Sequence, residues 1–303
     1  RSKTLPPELL REILGFYIAQ NTNFNTKDTE SSKPSWQLFS SLSLASKILR
    51  TLALEAWFRV LLVKHDEDLC DEYLPFTEIK RSWTLEIHFI QWTEDSRSWN
   101  VDDFTRLRKI RIDCSKVDVV PPKFPNGSVI LHNIEVEIRN IYWPSPLVAQ
   151  YIVRAFPMLK VLTLRQTRTW CGLCHTCCFS EFQHPIPKLI RYEDGTGLPI
   201  HYAQAFASLK NLETVYLMVG VLESGKTRLG SEEGRNPNLW SGECDRCMEI
   251  MYEDETFRSD WVAKKKTSTV KPPRLSLVEW CFLSREEFDP SAWNEDEGDI
   301  GEE

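Results

Sequence analysis

One spacing of apolar residues recurs along this chain and limits its architecture more than any other feature. Phe104, Leu107, Ile110 and Ile112 are followed by Phe156, Leu159, Leu162 and Leu164, and then by Leu209, Leu212, Val215 and Leu217. The shared core is Leu-x-x-Leu-x-Leu, whose closing alternation puts two side chains on one side of an extended strand. Weaker copies lie at Leu131, Ile134 and Val136 and at Leu275, Val278 and Trp280. Copies starting at residues 107, 131, 159 and 212 are 24, 28 and 53 residues apart. Helical texture precedes two of the strong copies, over residues 144–156 and 201–209. Short units of strand and helix bury their apolar side only by stacking on one another, so the pattern predicts an α+β or α/β repeat, an irregular curved stack. A generic mixed sheet with helices on one face satisfies the same spacing.

With 303 residues, the chain is long enough to bury roughly three quarters of its unfolded surface. No apolar run of about eighteen residues is present, so no membrane partner is expected. The chain opens at Arg1 without the pattern of a secretory leader, and is read as a trimmed product or fragment of a cytoplasmic or nuclear protein. Its net charge of -7 is concentrated: residues 286–303 hold nine Asp or Glu and no Lys or Arg, which leaves +2 for everything before them. A nearly neutral body is a poor footprint for nucleic acid, whose binding needs clustered cations. The basic run Lys264, Lys265 and Lys266, with Lys271 and Arg274, is read as a solvated helix end. The acidic stretch over 284–303 lacks periodicity and is expected to be disordered.

The first sixty-odd residues carry helical signals. Pro6 and Pro7 suit a first helical turn, and Glu8 suits its positive end. Leu9, Leu10, Ile13, Leu14 and Tyr17 then recur at one-turn intervals, which predicts a single buried face. A second helical stretch is expected through Leu38, Leu42, Ala45, Leu49 and Leu52, and a third through Leu54, Phe58, Leu61 and Leu62. Three helices this short must pack on each other and on a partner.

The opening Leu5-Pro6-Pro7-Glu8-Leu9-Leu10-x-x-Ile13-Leu14 resembles the start of an F-box. Leu42-Ser43-Leu44-Ala45-Ser46-Lys47, followed by Leu49, Leu52-Ala53 and Trp57, is similar to that family's second half, with a polar insertion over 20–35. The resemblance implies a three-helix F-box domain over 1–65 that binds a Skp-type adaptor on a cullin scaffold. Carried over, the adaptor-binding residues are Leu5, Pro6, Leu9, Ile13, Leu44, Lys47 and Trp57. Residues 66–283 resemble an irregular leucine-rich-repeat-like substrate-binding domain, of the kind found in a large fungal group of F-box proteins. The implied function is the substrate-recognition subunit of an SCF-type ubiquitin ligase, non-enzymatic, with a protein target. An interaction module acting outside any ligase is the alternative.

Nine cysteines without an export signal argue against a disulfide framework. Cys171-x-x-Cys174 and Cys244-x-x-Cys247 each have the spacing of a metal-binding knuckle, and two such knuckles close a tetrahedral zinc site. Cys177, Cys178, His175 and His184 are competing ligands, and buried free thiols or a redox pair are the other readings. Residues 220–227, from Gly220 to Gly225-Lys226-Thr227, match a phosphate-binding loop formally. Gly230, Gly234 and Pro237 then break the helix such a loop must open, so a surface loop is expected. Trp83, Trp92, Trp99 and Trp143 are candidate anchors for a target, although large aromatics mostly serve packing.

Overall fold

The computed structural model describes residues 5–21, 33–64, 66–69, 81–92, 101, 103–114, 133–141, 146–166, 189–195, 197–198, 200–220 and 271–283. Three helices come first: α1 (Pro7–Asn21), α2 (Gln37–Ala45) and α3 (Lys47–Phe58). The expected second helical stretch is divided at Ser46. That residue is extended (φ -161, ψ 164), and its Oγ accepts a hydrogen bond from the Leu49 amide at 3.1 Å. A serine offering its side chain to an orphan amide starts a new helix, so the periodicity that runs across residue 46 belongs to two helices. The expected third stretch is also corrected: α3 stops at Phe58, and Leu61 and Leu62 lie in strand β1 (Val60–Val63).

The strands that follow are β2 (Glu86–Trp92), β3 (Lys109–Cys114), β4 (Ile134–Ile141), β5 (Leu159–Gln166), β6 (Leu189–Tyr192), β7 (Thr214–Gly220) and β8 (Leu277–Leu283). Helix α4 (Pro146–Ala155) precedes β5, and α5 (Ile200–Phe206) precedes β7. The chain is thus mixed α/β, with one eight-stranded sheet in the order β1-β2-β3-β4-β5-β7-β8-β6. All neighbours are parallel except β6, which runs antiparallel along the outer side of β8. Val60–Val63, inside the stretch ascribed to the helical domain, is the sheet's first strand.

Register explains why the recurring leucines matter. Leu61, Ile87, Ile110, Val136, Leu162, Val215 and Val278 lie side by side across the sheet. Val63, Phe89, Ile112, Ile138, Leu164, Leu217 and Trp280 form the next row. Every one of these side chains is buried in one continuous core, each worth about 1.5–3 kcal/mol. Ala149, Ile152 and Ala155 of α4 and Tyr202, Ala203 and Phe206 of α5 join that core, which places both helices on the apolar face. The weak copy at Leu131, Ile134 and Val136 is corrected by two residues. Val136 aligns with Ile110 and Ile138 with Ile112, while against β5 the register shifts between Ile134 and Glu135, with Lys160 as the extra residue on β5.

The turn after β6 closes tightly on β8. Gly195 has φ 76, and a Cβ there would meet the Leu275 carbonyl oxygen at 2.8 Å. A Cβ on Gly197 would fall 2.1 Å from the Tyr192 ring. The Gly197 carbonyl accepts from Trp280 Nε1 at 2.9 Å, which satisfies the one polar atom of a buried tryptophan.

Candidate protein-interaction site

Helix α1 carries more apolar surface than one packing face requires. At 100° per residue, Leu10, Leu14 and Ile18 form one stripe, and Leu9, Ile13 and Phe16 form another about a third of a turn away. Leu14 is buried and Leu10 and Ile18 half-buried, whereas Leu9, Ile13, Phe16 and Tyr17 stand in solvent. The expected single buried face is therefore two faces, of which the fold covers one. Together they span an apolar arc of roughly 200°, where a helix packed on one side shows about half that.

The same surplus continues beyond α1. Leu44, at the end of α2, is 77% exposed, and Ile48, in the first turn of α3, is exposed as well. Among the described residues, eight of the nine exposed large apolar side chains fall between positions 5 and 48, so the surplus is regional. Arg11 Nε, 3.1 Å from Glu55 Oε2, ties α1 to α3. Phe39, Leu52, Ala53 and Phe58 give the helices a small core outside the sheet's own.

The residues carried over from the family pattern divide accordingly. Leu5, Pro6, Leu9, Ile13, Leu44 and Lys47 are exposed. Trp57 is half-buried in an aromatic group: its ring meets Trp36 edge-on at 5.2 Å and Phe58 at 4.9 Å, and Lys33 Nζ sits 3.7 Å above it. Phe16 and Ile48 extend the stripe and were not singled out from sequence; Phe16, three residues after Ile13, had the spacing to be found.

The sheet face opposite the helices is polar and unexpectedly closed. Leu62, His88, Arg111, Glu137, Thr163, Tyr216 and Glu279 lie side by side across it. Arg111 grips Asp113 with two bonds of 2.9 Å, and His88 Nε2 lies 2.7 Å from the same carboxylate. His88 is 1% exposed and Arg111 4%. Burial pushes the Asp113 carboxyl up, but hydrogen bonds from His88 and Arg111, with their charges, outweigh it and hold the group below the usual carboxylate range. On the next strand, Glu137 lies between Arg139 Nε at 2.6 Å and Lys109 Nζ at 3.0 Å. Burial raises that carboxyl too, and the two cations with their hydrogen bonds bring it below its ordinary value. These clusters were missed from sequence because alternating polar residues in a strand do not announce their partners.

Cys171, Cys174, Cys244 and Cys247, with the rival ligands Cys177, Cys178, His175 and His184, lie outside the described residues. So do the phosphate-loop residues after Gly220, Trp99, Trp143 and the acidic stretch. Trp83 is half-buried. Among the described residues, no group of three or more potential ligands could hold a metal ion, and no helix is long and apolar enough to cross a membrane. Compared with family models, curated proteins and solved structures, the chain matches none.

Proposed function

We propose that this chain is a substrate-recognition subunit of a cullin-based ubiquitin ligase, in which the N-terminal helices form an F-box bound to a Skp-type adaptor. The observation that carries the reading is the apolar surplus on α1, α2 and α3: Leu5, Leu9, Ile13, Phe16, Leu44 and Ile48 face solvent beside a small but closed core. An exposed apolar patch gathered in one region, as here, is the mark of a surface that a second protein covers. The chain itself performs no chemistry in this reading and acts in the cytoplasm or nucleus.

The sheet is the target-holding part, as an irregular leucine-rich-repeat-like stack. Two facts support that reading. The seven parallel strands pair almost entirely in chain order, and the aligned rows repeat the same leucine positions from strand to strand. A structural zinc is part of the proposal. Strands β5 and β7 are neighbours, with Gln166 opposite Val219, so the chain leaves both at one end of the sheet into the segments that contain the two Cys-x-x-Cys pairs. Cys171 is five residues past Gln166 in the chain. Four thiolates at these spacings suit a closed tetrahedral site, in which zinc would hold the two segments together.

The test is co-purification with adaptor and cullin. The Leu9→Asp, Ile13→Asp double variant is expected to lose both partners while its thermal unfolding is unchanged, since both side chains are exposed. Retained capture, or a wild-type chain that ignores the adaptor while a known F-box protein binds it, would overturn the ligase reading. The alternative, an interaction module outside a ligase, predicts targets captured without cullin. For the metal, elemental analysis is expected to give about one zinc per chain, removed by Cys174→Ser with Cys247→Ser.

A further inference from the structure

The parallel strands all begin at one edge of the sheet, and unpaired cations gather there. Arg59 leads into β1, Arg106 and Arg108 lead into β3, Arg154 ends α4 ahead of β5, and Lys210 sits in the turn ahead of β7. All five are exposed, and among the described residues none makes an ion pair or hydrogen bond through its side chain. Backbone bonds fix their spacing. The Leu85 amide donates to the Arg59 carbonyl and the Arg108 amide to the Leu85 carbonyl, so Arg59 and Arg108 stand two strands apart, about 10 Å. From β1 to β7 the edge runs five strand steps, about 24 Å.

Anions do not balance this edge. Glu86, the first residue of β2, is half-buried and already engaged, and Asp103 and Glu213 are engaged by Arg81 and Lys160, at 3.1 and 3.4 Å. Glu135 is exposed without a partner among the described residues and stands against five cations. Past β7 the charge balances, because antiparallel β6 brings Glu193 and Asp194 to the edge beside Lys271 and Arg274. Arg154 faces the negative end of α4, which accounts for that residue but not for the others. Cations about 10 Å apart lie near one screening length of each other at physiological salt, so a ligand meets their summed potential.

We propose that this strand-start rim, Arg59, Arg106, Arg108, Arg154 and Lys210, is the docking site for an acidic segment of the target protein. The inference rests on the substrate-receptor reading and adds the chemistry of what is received. A nucleic acid is the poorer fit. The exposed aromatics among the described residues, Phe16, Tyr17 and Trp36, are all in the N-terminal region, and at this edge Trp83, ahead of β2, is half-buried, so little aromatic face is offered for stacking bases. The cations arrive singly, turn by turn, at spacings that meet few successive phosphates.

The experiment uses the full chain and a labelled polyglutamate peptide, with binding read by fluorescence anisotropy. Binding is expected to weaken at least about tenfold between about 50 and about 300 mM salt. The Arg106→Glu, Arg108→Glu, Lys210→Glu variant is expected to lose at least about tenfold in affinity, and Lys64→Glu, an exposed cation at the far end of β1, to lose little. Equal binding by the rim variant and wild type would overturn the assignment. So would tighter binding of an oligothymidylate of equal charge, which would make the rim a nucleic-acid site. Peptide binding that appears only after removal of residues 286–303 would assign the rim to the chain's own acidic stretch instead. Adaptor capture is measured on the same samples: capture without peptide binding sinks the rim alone, and peptide binding without capture sinks the ligase reading while the acidic-ligand chemistry of the rim stands.

Discussion

The N-terminal helices and the sheet are built from the same aliphatic residues at regular spacing, yet they dispose of them in opposite ways. In the sheet, two aligned rows from seven strands are sealed by α4 and α5, and Leu162 and Leu164 are wholly buried. In the helices, one stripe of α1 goes inward while Leu9, Ile13 and Phe16 face water. Periodicity alone does not decide burial; what decides it is whether the chain supplies enough neighbouring surface. A sheet stacks the next strand against the last, whereas three helices enclose only the few side chains at their centre.

The sharpest way to break the comparison is inside the sheet's polar face. Asp113→Ala strips Arg111 and His88 of their shared carboxylate in a nearly water-free place, and is expected to destabilise by about 3–5 kcal/mol in denaturant unfolding. Leu162→Ala opens a cavity in the inward rows and is expected to cost about 2–5 kcal/mol in the same measurement. Acid gives a smaller, graded effect. Asp113 and Glu137 titrate below their unfolded values, so their stabilisation is complete above about pH 5 and is lost as pH falls through the lower folded values. Wild type should therefore lose stability below about pH 4 more steeply than Glu137→Gln, followed by thermal unfolding. The smallest effect is expected at Leu44→Asp, within about 0.5 kcal/mol of wild type, because the side chain already stands in solvent. If Leu44→Asp unfolds the chain, the contrast between the two regions fails.

Much of the sheet was legible because each strong Leu-x-x-Leu-x-Leu copy falls on a strand, in register with the next. Strand β1 was not, since Val60–Val63 continues the apolar texture of α3 without a turn residue between them. The antiparallel β6 was invisible for a different reason: its partner β8 lies about ninety residues further on, and pairing at that distance leaves no local mark. The break at Ser46 was available in principle, a capping serine within an apolar run, but the heptad-like spacing of leucines across it argued for continuity. For the candidate site, the family pattern singled out Leu9, Ile13 and Leu44, and the helical geometry separates them from the buried Leu14. In the polar clusters, Arg111 with Asp113 and Glu137 with Arg139 are i, i+2 neighbours on one strand, whereas the contacts from His88 and Lys109 depend on which strand lies next to which, and only the register settles those.

A single residue, Arg59, separates α3 from β1, and its carbonyl oxygen takes the amides of both Leu85 and Glu86. There is no slack in such a joint. In the proposed receptor, an adaptor seated on the helices would therefore have a fixed bearing relative to a target held on the sheet, with distance and angle set at folding rather than sought at each encounter.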